Sequence, residues 1–141
     1  MRLVRKEVLI DAPVDVVYRH LTEVEGLKAW MAIDAVSELT PGGAVKWVYE
    51  NGAVMIGRYL ELVPPRRIVF SYGWEDGGRM GIMPETTKVE IDLVEEDGST
   101  RLHLLHSDLP DEHADFHAMG WGYFLHRLVA LFADRAKGGR N

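Results

Sequence analysis

The chain has 141 residues, 47% apolar and 27% charged, the proportions of one ordinary globular domain. It contains no cysteine, which excludes a disulfide framework and a thiolate metal site. A net charge of −6 speaks against a nucleic-acid surface, which needs clustered Lys and Arg; the densest basic pair, Arg66-Arg67, follows two prolines and reads as turn decoration.

The N-terminus, Met1-Arg2-Leu3-Val4-Arg5-Lys6-Glu7, carries charge where a signal peptide needs an apolar run. No stretch is long and apolar enough to span a bilayer, so a cytoplasmic location is expected. Residues 3–10 are rich in aliphatic and β-branched types and predict a strand. Pro13 then opens a helix on which Val14, Val17, Tyr18 and Leu21 recur at helical spacing. A second short helix is expected from Val24 to Met31, with Leu27 and Trp30 buried. From residue 44 the period changes to two. Val45, Trp47 and Tyr49 alternate with Lys46, Val48 and Glu50, and Asn51-Gly52 signals a hairpin. Strands are predicted over 54–63, 67–74, 86–95 and 99–107. The second of these puts Ile68, Phe70, Tyr72 and Trp74 on one face. Met80, Ile82 and Met83 lie among glycines in the loop 76–85, which could serve as a lid or a mobile turn.

The last element is a long helix, roughly Glu112 to Ala136. At 100° per residue, His113, His117, Trp121, Phe124, Leu125, Leu128, Leu131 and Phe132 form one stripe. The only large apolar surface available to that stripe is the sheet. The expected order is β-α-α-β-β-β-β-β-α. This is an α+β domain over residues 1–136 with six antiparallel strands curled around the C-terminal helix, followed by a polar tail at 137–141. Gly120 and Gly122 each weaken that helix by roughly 1 kcal/mol relative to Ala. Gly120 lies beside the stripe, where it could admit a strand or a ligand.

Several local patterns, in order, resemble the START-like or helix-grip (SRPBCC) superfamily, and within it the homologues of the heat-shock-protein-90 ATPase activator. They are Ile10-Asp11-Ala12-Pro13, Leu21-Thr22, Leu27 with Trp30, and Pro41-Gly42-Gly43. The stretch from Gly57-Arg58-Tyr59-Leu60-Glu61-Leu62 through Val63-Pro64-Pro65-Arg66-Arg67-Ile68-Val69-Phe70 is the most telling. Thr100 to Ser107 and Gly120-Trp121 complete the set. Family members often have two adjacent aromatics near Trp30; here Met31 follows. The resemblance covers residues 3 to 133. It implies a helix-grip fold with a cavity between sheet and helix, in a superfamily that includes lipid carriers, hormone receptors, aromatase/cyclases and co-chaperone domains.

Alternation and helical spacing put a set of rings on the faces expected to be buried. The expected ligand-contacting residues are Trp30, Trp47, Tyr49, Phe70, Tyr72, Trp74, His106, His117, Trp121 and Phe124. Buried Trp and Tyr need partners for their polar tips, and several together suit an apolar pocket with a few polar groups. A fully packed core is the plain alternative. His106, His113 and His117 could converge near the helix N-terminus as a three-His metal site. No ligand motif supports that, and His106 and His117 are expected as hydrogen-bonded fixtures of the pocket, with neither metal nor cofactor. No nucleophile elbow, phosphate loop or paired-carboxylate spacing is present, so no catalytic residue is assigned. The leading expectation is binding of a small hydrophobic or aromatic molecule. The alternatives are a chaperone-ATPase-activator-like interaction domain and a polyketide-cyclase-like enzyme, with a homodimer or a chaperone open as partner.

Overall fold

The structure, a computed structural model, describes residues 2–138. Strand β1 (Arg2–Ile10) leads into helices α1 (Val14–Thr22) and α2 (Val24–Trp30). Strands β2 (Asp34–Ser37), β3 (Ala44–Val48), β4 (Val54–Val63), β5 (Arg67–Tyr72), β6 (Thr87–Glu96) and β7 (Ser99–Leu109) follow. Helix α3 (Asp111–Gly138) closes the chain. Of the tail expected at 137–141, residues 139–141 lie outside the described residues.

All strands join one antiparallel sheet in the order β1-β7-β6-β5-β4-β3-β2. β2 to β7 form a meander, and β1 returns to pair with β7 from Arg2 opposite Leu109 to Ile10 opposite Thr100. The sheet therefore has seven strands, not the expected six. The strand missed is β2, whose four residues are too few to display alternation; it is defined by pairing with β3, Ala35 opposite Trp47.

The ladder between β4 and β5 is irregular. The register shifts between Tyr59 and Glu61, the extra residue that increases local twist in a bulge. Just before it, a Cβ on Gly57 would collide with the carbonyl oxygen of Ser71. Only glycine allows the two backbones to approach so closely. The Ser71 hydroxyl accepts from the Arg58 amide at 2.9 Å, satisfying a donor beside the irregular stretch of ladder.

The concave face is apolar. Val45, Trp47, Tyr59, Ile68, Phe70, Val89, Ile91, Leu102 and Leu104 are buried there with α3 residues Trp121, Leu125, Leu128 and Phe132. The outer face is ionic. Arg67, at the start of β5, reaches Glu61 at 2.8 Å, Glu90 at 2.9 Å and Asp92 at 2.8 Å. Arg101 similarly meets Glu7 and Glu96. Arg67 is thus enclosed by carboxylates within the sheet rather than decorating a turn. Such half-exposed pairs add little stability each, but they mark this face as the solvated one.

Candidate functional site

A cavity of about 490 Å³ lies between the sheet and the N-terminal half of α3 and opens to solvent. Its floor comes from Tyr49, Tyr72 and Trp74, at the ends of β3 and β5. Its roof is the α3 face bearing His117, Gly120, Trp121 and Phe124. The mouth is rimmed by Met31, Ala32 and Ile33 after α2 and by Glu50, Asn51 and Ala53 of the β3–β4 hairpin.

The ring positions follow from element geometry. On β5 alternate side chains share a face, so Phe70 and Tyr72 point to α3, and Trp74 continues that direction through a bridge to Met55. On α3, Trp121 lies one turn beyond His117, and Phe124 three residues further. The ring of Tyr49 meets Trp74 and Phe124 tilted, and that of Tyr72 meets Trp74 and His106 edge to face. Tyr49 is 5.6 Å from Trp74 and 5.4 Å from Phe124, and Tyr72 is 5.6 Å from Trp74 and 4.5 Å from His106. Such contacts stabilise aromatic pairs by roughly 0.5–1.5 kcal/mol beyond their buried area.

Two hydrogen-bond chains hold this wall. The Trp74 Nε1–H donates to His117 Nε2 at 3.2 Å, and His117 Nδ1 bonds the His113 carbonyl at 2.9 Å. A carbonyl can only accept, so the proton of His117 sits on Nδ1. The Trp121 Nε1–H donates to His106 Nδ1 at 3.0 Å. His106 Nε2 must then carry the proton; it meets Thr87 Oγ1 at 2.8 Å, and that hydroxyl donates to the Tyr72 carbonyl at 2.8 Å. Both imidazoles are neutral. Burial, helped by the neighbouring His117, lowers the pKa of His106 to about 3. Burial also lowers that of His117, partly opposed by its bond to the His113 carbonyl.

Six of the ten expected ligand-contacting residues line the cavity: Tyr49, Tyr72, Trp74, His117, Trp121 and Phe124. The other four do not reach it. Trp30 is buried against α1, its Nε1–H donating to the His20 carbonyl at 2.8 Å. Trp47 and Phe70 meet edge to face at 5.2 Å and do not line the cavity. His106 is fully buried and acts through Trp121. Among the described residues the Trp47 Nε1–H, a buried donor, has no partner, a feature that costs about 1–3 kcal/mol when nothing replaces the lost water.

The three histidines do not converge. His106 and His117 stand 5.6 Å apart, ring to ring, while His113 Nε2 faces Glu112 at 3.9 Å. Among the described residues no three His, Asp or Glu side chains are spaced to hold a metal. None of the described side chains of the loop 76–85 lines the cavity, and Ile82 is core. The mouth is shaped instead by the α2–β2 connection and the β3–β4 hairpin. Of the flank beside the expected stripe on α3, the sequence singles out Gly120 alone. Phe116, Gly120, Tyr123 and Arg127 each precede a stripe residue by one position and border the opening. Their spacing of four, three and four is itself helical and was the available signal.

A model of the family described as activator of Hsp90 ATPase homolog 1-like protein matches residues 11–133. No curated protein matches the sequence. Among solved structures, protein MLL2253 from Mesorhizobium loti is similar with a TM-score of 0.82 at 18% identity, covering 94% of this chain and 98% of that one. The Aha1 dimer subunit from Colwellia psychrerythraea gives 0.77 at 22% identity, covering 92% and 94%. DynU16, of the dynemicin biosynthetic locus, gives 0.78 at 22% identity, covering 94% of this chain and 47% of that one. At these identities the likeness is one of fold.

Proposed function

The chain belongs to the family of activator of Hsp90 ATPase homolog 1-like proteins, and from that premise we propose that it binds a small hydrophobic or aromatic molecule between the sheet and α3. The observation that carries this reading is the aromatic cavity of about 490 Å³, a volume within the range of small-molecule sites. The hydrogen-bonded histidines and indoles support it, because they brace the rings around the space instead of letting them collapse into it. A catalytic reading has less support. A general base needs a free lone pair within reach of substrate, and the lone pairs of His106 and His117 are both taken by indole N–H groups. Chaperone docking is favoured by one observation: Phe116, Met119 and Tyr123 form an exposed apolar row on α3 beside the mouth.

Native mass spectrometry of freshly purified protein, followed by titration with a polarity-sensitive dye, tests the binding reading. A co-purifying small molecule or saturable dye binding is expected, and Trp121→Ala should weaken the dye. If nothing co-purifies and no dye binds, the reading fails and the docking alternative gains.

A further inference from the structure

Helix α3 has two apolar faces, and the sheet covers one of them. Trp121, Leu125, Leu128 and Phe132 are buried against the sheet. On the outward side Phe116 is 59% exposed, Met119 74% and Tyr123 59%. Glu112, Phe116, Met119, Tyr123, His126 and Ala130 are all exposed and recur at alternating intervals of four and three. That is the heptad spacing with which helices pair, and it keeps one seam towards a partner over several turns. A helix that packs on one side only carries polar residues on the other. Two aromatic rings and a Met at the middle of the outer face are instead the composition of an interface core.

The charges along this seam say what covers it. Its first turns are acidic, with Asp111, Glu112 and Asp115, and Arg127 stands near its far end. Arg127 lies over the Tyr123 ring, 5.8 Å from its centre, and donates to the Tyr123 hydroxyl at 3.3 Å, which holds the cation along the seam. Phe116 and Tyr123 lie at equal distances either side of a point between Met119 and Gly120, and so do Glu112 and Arg127. A patch that pairs with itself about a twofold axis must be its own complement. We propose that two copies of this chain associate through α3, the helices antiparallel about a twofold axis between Met119 and Gly120. Each Phe116 then packs against the partner's Tyr123, and each Glu112 comes level with the partner's Arg127. A parallel pair would set like charges side by side at both ends, which repel. Phe116, Tyr123 and Arg127 also border the cavity mouth, so the partner helix lies along one side of the opening. The net charge of −6 opposes association, and a seam of one helix is smaller than a standard interface. The dimer is therefore a reversible one.

Sedimentation velocity of the full chain over a concentration series tests the pairing, with circular dichroism as the check that each variant is folded. The wild type is expected to pass reversibly from monomer to dimer with a dissociation constant on the order of 10–100 µM. Met119→Lys places two ammonium groups beside the axis and should raise that constant roughly tenfold or more. Its fold should be kept, because the Met119 side chain faces solvent in the single chain. Glu112→Arg and Arg127→Glu should each raise the constant about fivefold, and the double variant should return it to within about twofold of the wild type. A wild type that stays monomeric up to about 1 mM overturns the inference. So does a dimer indifferent to Met119→Lys, which places the contact elsewhere. A double variant weaker than either single one overturns the antiparallel arrangement and the inference with it. If the wild type is monomeric and purified Hsp90 binds it but not Met119→Lys, the row belongs to the chaperone and the inference falls.

Discussion

One helix closes both ends of the gap above the sheet, yet one end is filled and the other is not. In the C-terminal half of α3, Leu125, Leu128 and Phe132 are buried in continuous core, and Phe132 meets the His20 ring of α1 at 4.9 Å. In the N-terminal half the same face presents His117, Trp121 and Phe124 to a cavity. The difference is chemical. Leu side chains choose among rotamers until they interlock at near-crystalline density. Rigid rings tied by N–H···N bonds hold fixed positions, and the volume between them persists.

The largest effect should come from the filled end. Leu128→Ala should cost about 2–5 kcal/mol, since it opens a void in continuous core. Thermal melting would show a fall of many degrees, with dye binding at the other end retained. A variant that melts like the wild type would mean the two ends are packed alike.

Acid should act mainly on the open end. A folded pKa of about 3 for His106 against an ordinary value of 6.5 means that the unfolded chain takes up its proton first. The stabilisation is complete above pH 6.5 and is lost as the pH falls through that window towards 3. His117, shifted the same way, adds to the loss. Each histidine contributes up to about 1.4 kcal/mol per pH unit. His106→Asn should flatten the profile of unfolding free energy in this range. An unchanged slope would show that His106 takes no part in acid unfolding.

Gly120→Ala should raise stability by about 1 kcal/mol, the helix-propensity difference, because a Cβ there meets no atom within 4 Å. A lower melting temperature would show that the roof is in contact where the cavity is drawn.

The smallest effect sharpens the contrast between two buried indoles. Trp47→Phe removes an N–H that has no partner, so its net change should stay within about 1 kcal/mol. Trp30→Phe gives up a bond to the His20 carbonyl and should cost more. Equal losses in denaturant melts would mean that the Trp47 N–H is satisfied.

Much of this architecture is legible from periodicity. The switch from helical spacing to alternation and back places β1, α1, α2, the strands from β3 to β7, and α3, and the local patterns carry the family. β2 is not legible, because four residues offer no period and its partner β3 lies across a turn. Arg67 misleads for a related reason: its neighbours Glu61, Glu90 and Asp92 come from two other strands.

The site divides the same way. That Trp47, Tyr49, Phe70, Tyr72 and Trp74 face α3 follows from alternation, and that His117 and Trp121 face the sheet follows from helical spacing. Which of these rings border a void depends on where α2 and the β3–β4 hairpin stop short of α3. Those are distances between elements far apart in the chain. The pairing of each histidine with an indole is of the same kind, joining Trp74 to His117 across 43 positions. Residue type and spacing set which face a side chain takes; only the assembled layers set what stands opposite it.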